Sequence, residues 1–487
     1  MLRPETVSKS FRASFQTGRR ELLWALLAGV LAGALLLGAL LGFAGPILTV
    51  AVLLALAGGL LMLRSMVWGL TAVIGIAVLL PFAVLPVNVG LQPTFLDIAT
   101  LVVFGVWFLN AMTHSGERKL RFPALGWAVA VFVALVLLAF ISGLAHSGLD
   151  KNTLRRFVEL VLSIVLFFVV VDGVRRPEQI EWLVRVLILA GAAAAIVGVV
   201  LYFLPTTLST RVLSALRIVG YPAGSDVLRF IEDNRELAQR AVSTSVDPNV
   251  FGGLLVLVTA LTAPQLTTKR PLLPRWLVVP SLLVMGLALL LTFSRSAMAG
   301  LLVALLIIAT VRYRRWVPLV ILALLLILFL PQTQGYVQHF VEGLRGEDLA
   351  TQMRFGEYKD AWILIRRYPL FGVGFVGTPD IDVYIGVSSV YLLVAEEMGL
   401  VGLIVFLAIM AWFYSLAAQT LRAHRGDRLE PVLLGVVAAL AGALVGGLFD
   451  HYFFNLSFPH ASTLFWTYVA LGTAALLTLR GDVEPET

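Results

Sequence analysis

An all-α, polytopic membrane fold with about 12–14 transmembrane helices is predicted by three features of this 487-residue chain. Hydrophobic residues make up 59% of it and charged residues 13%, whereas soluble domains carry about a quarter charged residues. Apolar runs close to the roughly 20 residues that a bilayer core requires recur from end to end. Lys and Arg gather in the short segments between those runs, which is how the orientation of a membrane protein is written. The net charge of +7 therefore encodes topology rather than a nucleic-acid groove. The absence of cysteine excludes thiolate chemistry, Cys-ligated metals and disulfides.

The elements follow in order. A basic tail at 1–21, with Arg3, Lys9, Arg12, Arg19 and Arg20, precedes a first apolar run that reads as a retained span. Spans are expected near 22–43, 46–63, 67–86, 94–112, 123–145, 157–173, 182–204, 249–264, 276–293, 296–311, 317–331, 388–418, 431–449 and 460–479. With the tail inside, the inner segments take 21 of the 36 basic residues, among them Arg175, Arg176, Arg312, Arg428 and Arg480. The chain 1–487 thus reads as one integral domain of the cytoplasmic membrane, with both termini, including 480–487, cytoplasmic.

Two long outer segments, 205–248 and 332–387, interrupt this pattern, and loops of that length are usually functional or disordered. In the first, DVLRFIEDNRELAQRA (226–241) has helical spacing, with Val227, Phe230, Ile231 and Leu237 as an apolar stripe. In the second, ATQMRFGEYKDAWILIRRYP (350–369) reads as an amphipathic helix ended by Pro369 and followed by Gly372-Val-Gly374. Trp362, Arg366, Arg367 and Tyr368 are types that settle at headgroup level. Both loops are expected to carry amphipathic helices on the outer face.

Polar residues at outer span ends are the candidates for chemistry. Arg240 leads into STSVDPN, whose last residue is Asn249; Arg295 sits in the turn FSRSA; and Arg354 opens the second amphipathic helix. Ser388, Ser389, Tyr391, Glu396 and Glu397 precede the apolar run from Leu400, and Asp450, His451 and His460 flank the last outer turn. The first turns of the 388–418 run are expected to stand above the hydrocarbon, where Glu396 and Glu397 are solvated. Singly, an outer arginine most often contacts headgroups; Arg295, at the edge of the hydrocarbon, must snorkel or pair. Together, three arginines beside carboxylates and a histidine suit an anionic lipid-linked substrate. Arginine matches phosphate bidentately and stays charged, a leaving diphosphate gains from positive charge as its bond breaks, and a hydroxyl acceptor needs a base of the His or Glu type. No metal-ligand spacing appears, and no metal, nucleotide or other cofactor is expected.

RFGEYKDAWILIRRYPLFGVG (354–374), followed by SSVYLLVAEEMGLVGLIVFL (388–407), resembles the core of the O-antigen ligase and O-antigen polymerase (Wzy-type) family of membrane glycosyltransferases. RAVSTSVDPNVFGGLL (240–255) and TFSRSAMAG (292–300) are similar to two further pieces of that family, in the same order. The resemblance implies a helical fold with a catalytic cavity beneath the large outer loop, a polyprenyl-diphosphate-linked glycan donor, and a glycan or glycolipid acceptor. It implies diphosphate binding by Arg240 and Arg354, with Arg295 nearby; Asn249, Ser389, Tyr391 and Asp450 are further candidate cavity residues. The ligase branch has His, a small polar residue, nine residues, then Gly-x-x-Gly. Gly399 and Gly402 match its end, so Ser388 stands at the histidine position, and a serine cannot be that base. His451, Glu397 and Glu396 are the candidate substitutes. The alternatives are a flippase or transporter of lipid-linked oligosaccharide, disfavoured by nearly charge-free mid-spans and the lack of a repeat, and a non-catalytic glycolipid-binding family member.

Overall fold

The computed structural model describes residues 65–85, 92–113, 120–145, 148–318, 349–377 and 386–481, with a few isolated positions outside these stretches. The chain falls into two compact units, Met1–Arg64 and Ser65–Thr487. Of the first, only helical positions at 58–59 and 61–62 are described. The basic tail, the spans expected at 22–43, 46–63 and 317–331, much of 332–348, all of 378–385 and the C-terminal tail lie wholly or nearly so outside the described residues.

In the second unit the apolar runs fold as helices. They are α1 (Met66–Leu79), α2 (Phe95–Thr113), α3 (Ala124–Gly143), α4 (Lys151–Gly173), α5 (Pro177–Phe203), α6 (Thr206–Ala215), α7 (Pro248–Thr262), α8 (Arg275–Leu291), α9 (Arg295–Val311), α10 (Leu349–Arg367), α11 (Val390–Ala423), α12 (Glu430–Gly446) and α13 (Pro459–Leu479). Local chemistry sets several starts. Asp150 caps α4 by accepting from Asn152 and Thr153 N–H, Asp247 caps α7, and Ser294 caps α9. Pro177, Pro248, Pro431 and Pro459 stand in first turns, where no intrahelical N–H is lost. Six helices (α2, α3, α5, α7 with its short extension to Leu266, α11 and α13) are long and apolar enough to cross a membrane; α1, α8, α9 and α12 are shorter apolar helices. The chain is an all-α, multi-pass membrane protein.

The interior centres on α13, which packs along α4, and on α12, which packs along α9 and α7. Trp466, Tyr468, Phe132, Phe413 and Phe454 are almost fully buried there. α9 and α12 meet through glycine: a Cβ on Gly300 would come 2.5 Å from the Gly442 carbonyl oxygen, so the two backbones touch. One end of the bundle is tied by ion pairs. Arg428 binds Glu178 at 2.6 Å and Glu181 at 2.5 Å, and Arg312 binds Glu430 at 3.0 Å. These arginines belong to the segments read as inner loops.

The segment 226–241 departs from expectation. Instead of an amphipathic helix it forms a two-stranded hairpin, β1 (Arg229–Phe230) with β2 (Gln239–Arg240), in which Arg229 pairs with Arg240. Glu232 and Asp233 adopt φ of 54° and 53°, and two such residues in succession reverse a chain rather than continue a right-handed helix. Tertiary packing decides the outcome. The neighbours Val227 and Leu228 are both buried with Leu201, Leu213 and Val242, which a helical stripe does not allow, while Leu237 is exposed. The α-helix of the outer segment 205–248 is α6, whose Leu213 joins that cluster.

Candidate functional site

Arg240 stands at the end of β2, where Ala241 N–H donates to the last carbonyl of α8, Leu291, at 2.8 Å. Its Nε donates to Thr292 O and its Nη2 to Asn249 Oδ1, both at 2.7 Å. Asn249 is itself held at the start of α7, where Asp247 accepts from Asn249 N–H at 2.8 Å and Val250 N–H at 3.0 Å. The cation is thus oriented by two neutral acceptors. Burial pushes Arg240 below the usual arginine range, Asp247 and Asp450 pull it back, and the like charge of Arg354 adds to the downward push. Arginine nonetheless stays charged. Ser243, Val246 and Phe293 have φ of 50°, 62° and 52°; such conformations in non-glycine residues collect at functional sites.

Helix α10 packs against α11. Thr351, Arg354 and Tyr358 follow i, i+3, i+7 spacing and share one face. Arg295 Nη2 lies 3.5 Å from Thr351 Oγ1, and the Tyr358 hydroxyl is 3.2 Å from Ser388 O and 3.4 Å from Leu448 O. Glu357 Oε2 accepts from Ser388 N–H at 2.9 Å. Arg354 is half-buried, its charge bears on Arg240, Tyr358 and Asp450, and no described residue occupies it with a hydrogen bond or ion pair.

The turn between α12 and α13 completes this end. Val390 N–H, in the first turn of α11, donates to Gly447 O at 2.8 Å and Asp450 O at 3.0 Å. Ser389 Oγ donates to Gly447 O at 3.4 Å, and the Tyr391 hydroxyl to Leu444 O at 2.8 Å. Asp450 is buried. Its Oδ1 accepts from His451 N–H at 2.9 Å and lies 3.6 Å from His451 Nδ1, while Oδ2 has no hydrogen-bond partner among the described residues. Burial raises Asp450 above the ordinary carboxylate range, opposed first by His451 and then by Arg354. The His451 ring is half-buried. The structure therefore brings Arg240, Asn249, Arg354, Asp450 and His451 to one end, with Arg295 reaching it through Thr351. Tyr391 turns its hydroxyl toward α12, and His460 is buried against Phe82, its ring nitrogens without a hydrogen-bond partner among the described residues.

Glu396 and Glu397 are not solvated. They are 1% and 5% exposed, which corrects the expectation of carboxylates standing above the hydrocarbon. The cause is a break in α11 at Gly399, with φ 70° and ψ −178°, and the docking of the Pro369–Gly374 turn onto it. Val373 N–H donates to Glu396 O at 2.8 Å, Gly374 N–H to Glu397 O at 2.9 Å, and Leu400 N–H to Pro369 O at 2.8 Å. Neither oxygen of Glu396 has a hydrogen-bond partner among the described residues, and the charges of Asp360 and Glu357 reach it from α10.

Four further residues shape the site: Asp247, Thr292, Glu357 and Tyr358. Only Asp247, directly before Pro248, carried a local signal, that of a helix cap. No curated protein matches the chain. The O-antigen ligase family profile matches residues 280–407, from within α8 to the middle of α11, so it takes in Arg295, Arg354 and Ser388–Glu397 but neither Arg240 nor the Asp450–His451 turn. The chain thus carries an O-antigen ligase family domain over residues 280–407.

Proposed function

We propose that this chain transfers glycan from a polyprenyl-diphosphate carrier to a sugar hydroxyl at the outer face of the cytoplasmic membrane, as a surface-polysaccharide polymerase or ligase. The observation that carries the reading is the pairing of Arg240, half-buried and oriented by Thr292 O and Asn249, with Arg354, which no described residue occupies. Such a pair suits a diphosphate, whose charge grows as the glycosidic C–O bond breaks. The family match over 280–407 supports the same class of substrate.

In this reading the acceptor oxygen attacks the anomeric carbon while the carbon–oxygen bond to the diphosphate breaks and its electron pair leaves with the carrier. The acceptor proton passes to His451, and Asp450 Oδ1, 3.6 Å from Nδ1, stabilises the imidazolium. His451 suits the role better than Glu396 or Glu397, because those carboxylates lie buried under the 369–374 turn. Ser389, hydrogen-bonded to Gly447 O, holds the α11 start to this turn.

The test is product formation by purified protein in nanodiscs with a polyprenyl-diphosphate oligosaccharide, comparing wild type with Arg240→Ala, Arg354→Ala and His451→Ala. A ladder of longer glycans identifies a polymerase, and transfer to another lipid a ligase; both are expected to vanish in the arginine variants and fall at least a hundredfold or so in His451→Ala. Undiminished activity in the arginine variants overturns the diphosphate assignment. Arginine-dependent binding without product points to a non-catalytic glycolipid-binding protein, and carrier movement across the bilayer without product to transport.

A further inference from the structure

The break in α11 fixes how deep the neighbouring turn lies. Leu400–Ala423 is about 36 Å of helix, enough for the roughly 30 Å hydrocarbon core, and Arg422 and Arg425 mark its far end. The turns before Gly399 therefore stand above the hydrocarbon. Helix α10 runs down beside them: the Tyr358 hydroxyl is 3.2 Å from Ser388 O at the top, and Leu400 N–H donates to Pro369 O at 2.8 Å at the bottom. The side chains next to that lower contact face outward. Leu370 and Phe371 are 61% and 44% exposed, beside the exposed Leu400 and Ile404, so the turn continues the lipid-facing surface of α11. Arg366 and Trp362, one and two turns back along α10, then fall at headgroup depth.

Charge on α10 is sorted between two faces. Glu357 accepts from Ser388 N–H, and the charge of Asp360 reaches Glu396, so both acids face α11. Lys359, Trp362 and Arg366 follow i, i+3, i+7 spacing and share the exposed face, with Leu370 next below them. Among the described residues none hydrogen-bonds to or ion-pairs with Lys359 or Arg366. The Arg366 guanidinium instead lies over the Trp362 ring, 5.1 Å from its centroid. Stacking occupies the cation's face and leaves its N–H edge open, the edge that grips a phosphate bidentately. A basic stripe directly above an apolar turn matches a lipid whose headgroup is anionic and whose chains enter the hydrocarbon.

We propose that the end of α10 binds an anionic phospholipid, with Arg366 on its phosphate, Lys359 adding attraction, and Leu370, Phe371 and Leu400 against its chains. The test uses the full-length protein in detergent with equal amounts of phosphatidylglycerol and phosphatidylcholine, and counts retained lipid by native mass spectrometry. Phosphatidylglycerol is expected to be retained preferentially, and less so as salt rises. Arg366→Gln is expected to weaken its retention about fivefold, and Arg366→Lys to keep part of it, because lysine restores the charge but not the fork. Lys359→Gln is expected to act in the same direction from a second position. Arg235→Gln, in the exposed tip of the hairpin, is the control and is expected to change nothing. Equal retention of the two lipids, or wild-type retention in both Arg366→Gln and Lys359→Gln, overturns the proposal. Displacement of phosphatidylglycerol by an equal amount of polyprenyl phosphate overturns it in favour of the carrier lipid as occupant.

Discussion

Replacing Gly399 by alanine tests how α11 and the Pro369–Gly374 turn hold one another. Gly399 has φ 70° and ψ −178°, a conformation essentially restricted to glycine. A Cβ there would come 2.2 Å from the carbonyl carbon and oxygen of Leu370, main-chain atoms that cannot rotate away. The turn must retreat, which stretches the bonds from Val373, Gly374 and Leu400 N–H, now 2.8, 2.9 and 2.8 Å long. Three such bonds are worth about 0.5–1.5 kcal/mol each and the strained backbone roughly 1–3 kcal/mol, for a loss of about 2.5–7.5 kcal/mol. Denaturant unfolding in detergent, at matched protein concentration, measures it. Gly286→Ala in α8 is the control, because its Cβ meets nothing within 4 Å and a helical alanine gains up to about 1 kcal/mol. If Gly399→Ala lies within about 1 kcal/mol of wild type on that scale, the docked turn does not hold the break.

Other perturbations give smaller, signed effects. Tyr358→Phe removes the hydroxyl bonded to Ser388 O or Leu448 O and is expected to cost about 0.5–1.5 kcal/mol by the same unfolding measurement. Arg428→Ala breaks the contacts with Glu178 and Glu181; because Arg428 is half exposed and Glu181 keeps Arg185 at 3.2 Å, about 1–2 kcal/mol is expected, shrinking in high salt. Asp450 titrates above its ordinary 3.8 when folded, so between 3.8 and its raised value the folded chain binds more protons than the unfolded one. Stability therefore falls as pH rises through that window, and Asp450→Asn is expected to flatten this slope in midpoint-versus-pH curves.

The helices were legible because their signals are local. Apolar length sets α3 and α5, and Asp247-Pro248 and Ser294 set the starts of α7 and α9 within a residue of expectation. α4 begins earlier than its apolar run because the Asp150 cap lies ahead of it. The hairpin at 229–240 was not legible: its residues alternate well enough for a helix, and only contact with Leu201 and Leu213 selects the other form. Burial of Glu396 and Glu397 was hidden for the same reason, since it depends on a turn some twenty-five residues earlier folding back onto the break. The arginines and the Asp450–His451 turn could be named as types; that Tyr358 and Glu357 bind the same strand of backbone, Ser388, needed coordinates.

The start of α11 has a consequence for how the chain is made. Val390 N–H and Ser389 Oγ find their acceptors at Gly447 and Asp450, with Ser389 and Gly447 58 positions apart. Until the ribosome has delivered the last hairpin, that helix end has open donors and Arg354 faces no Asp450–His451 turn. A nascent chain therefore holds Arg240 and Arg354 before it holds His451, the proposed base, so the proposed chemistry is complete only when membrane insertion is nearly finished. In the proposed reaction, chains cut short before residue 447 lack the Asp450–His451 turn and are expected to form no product.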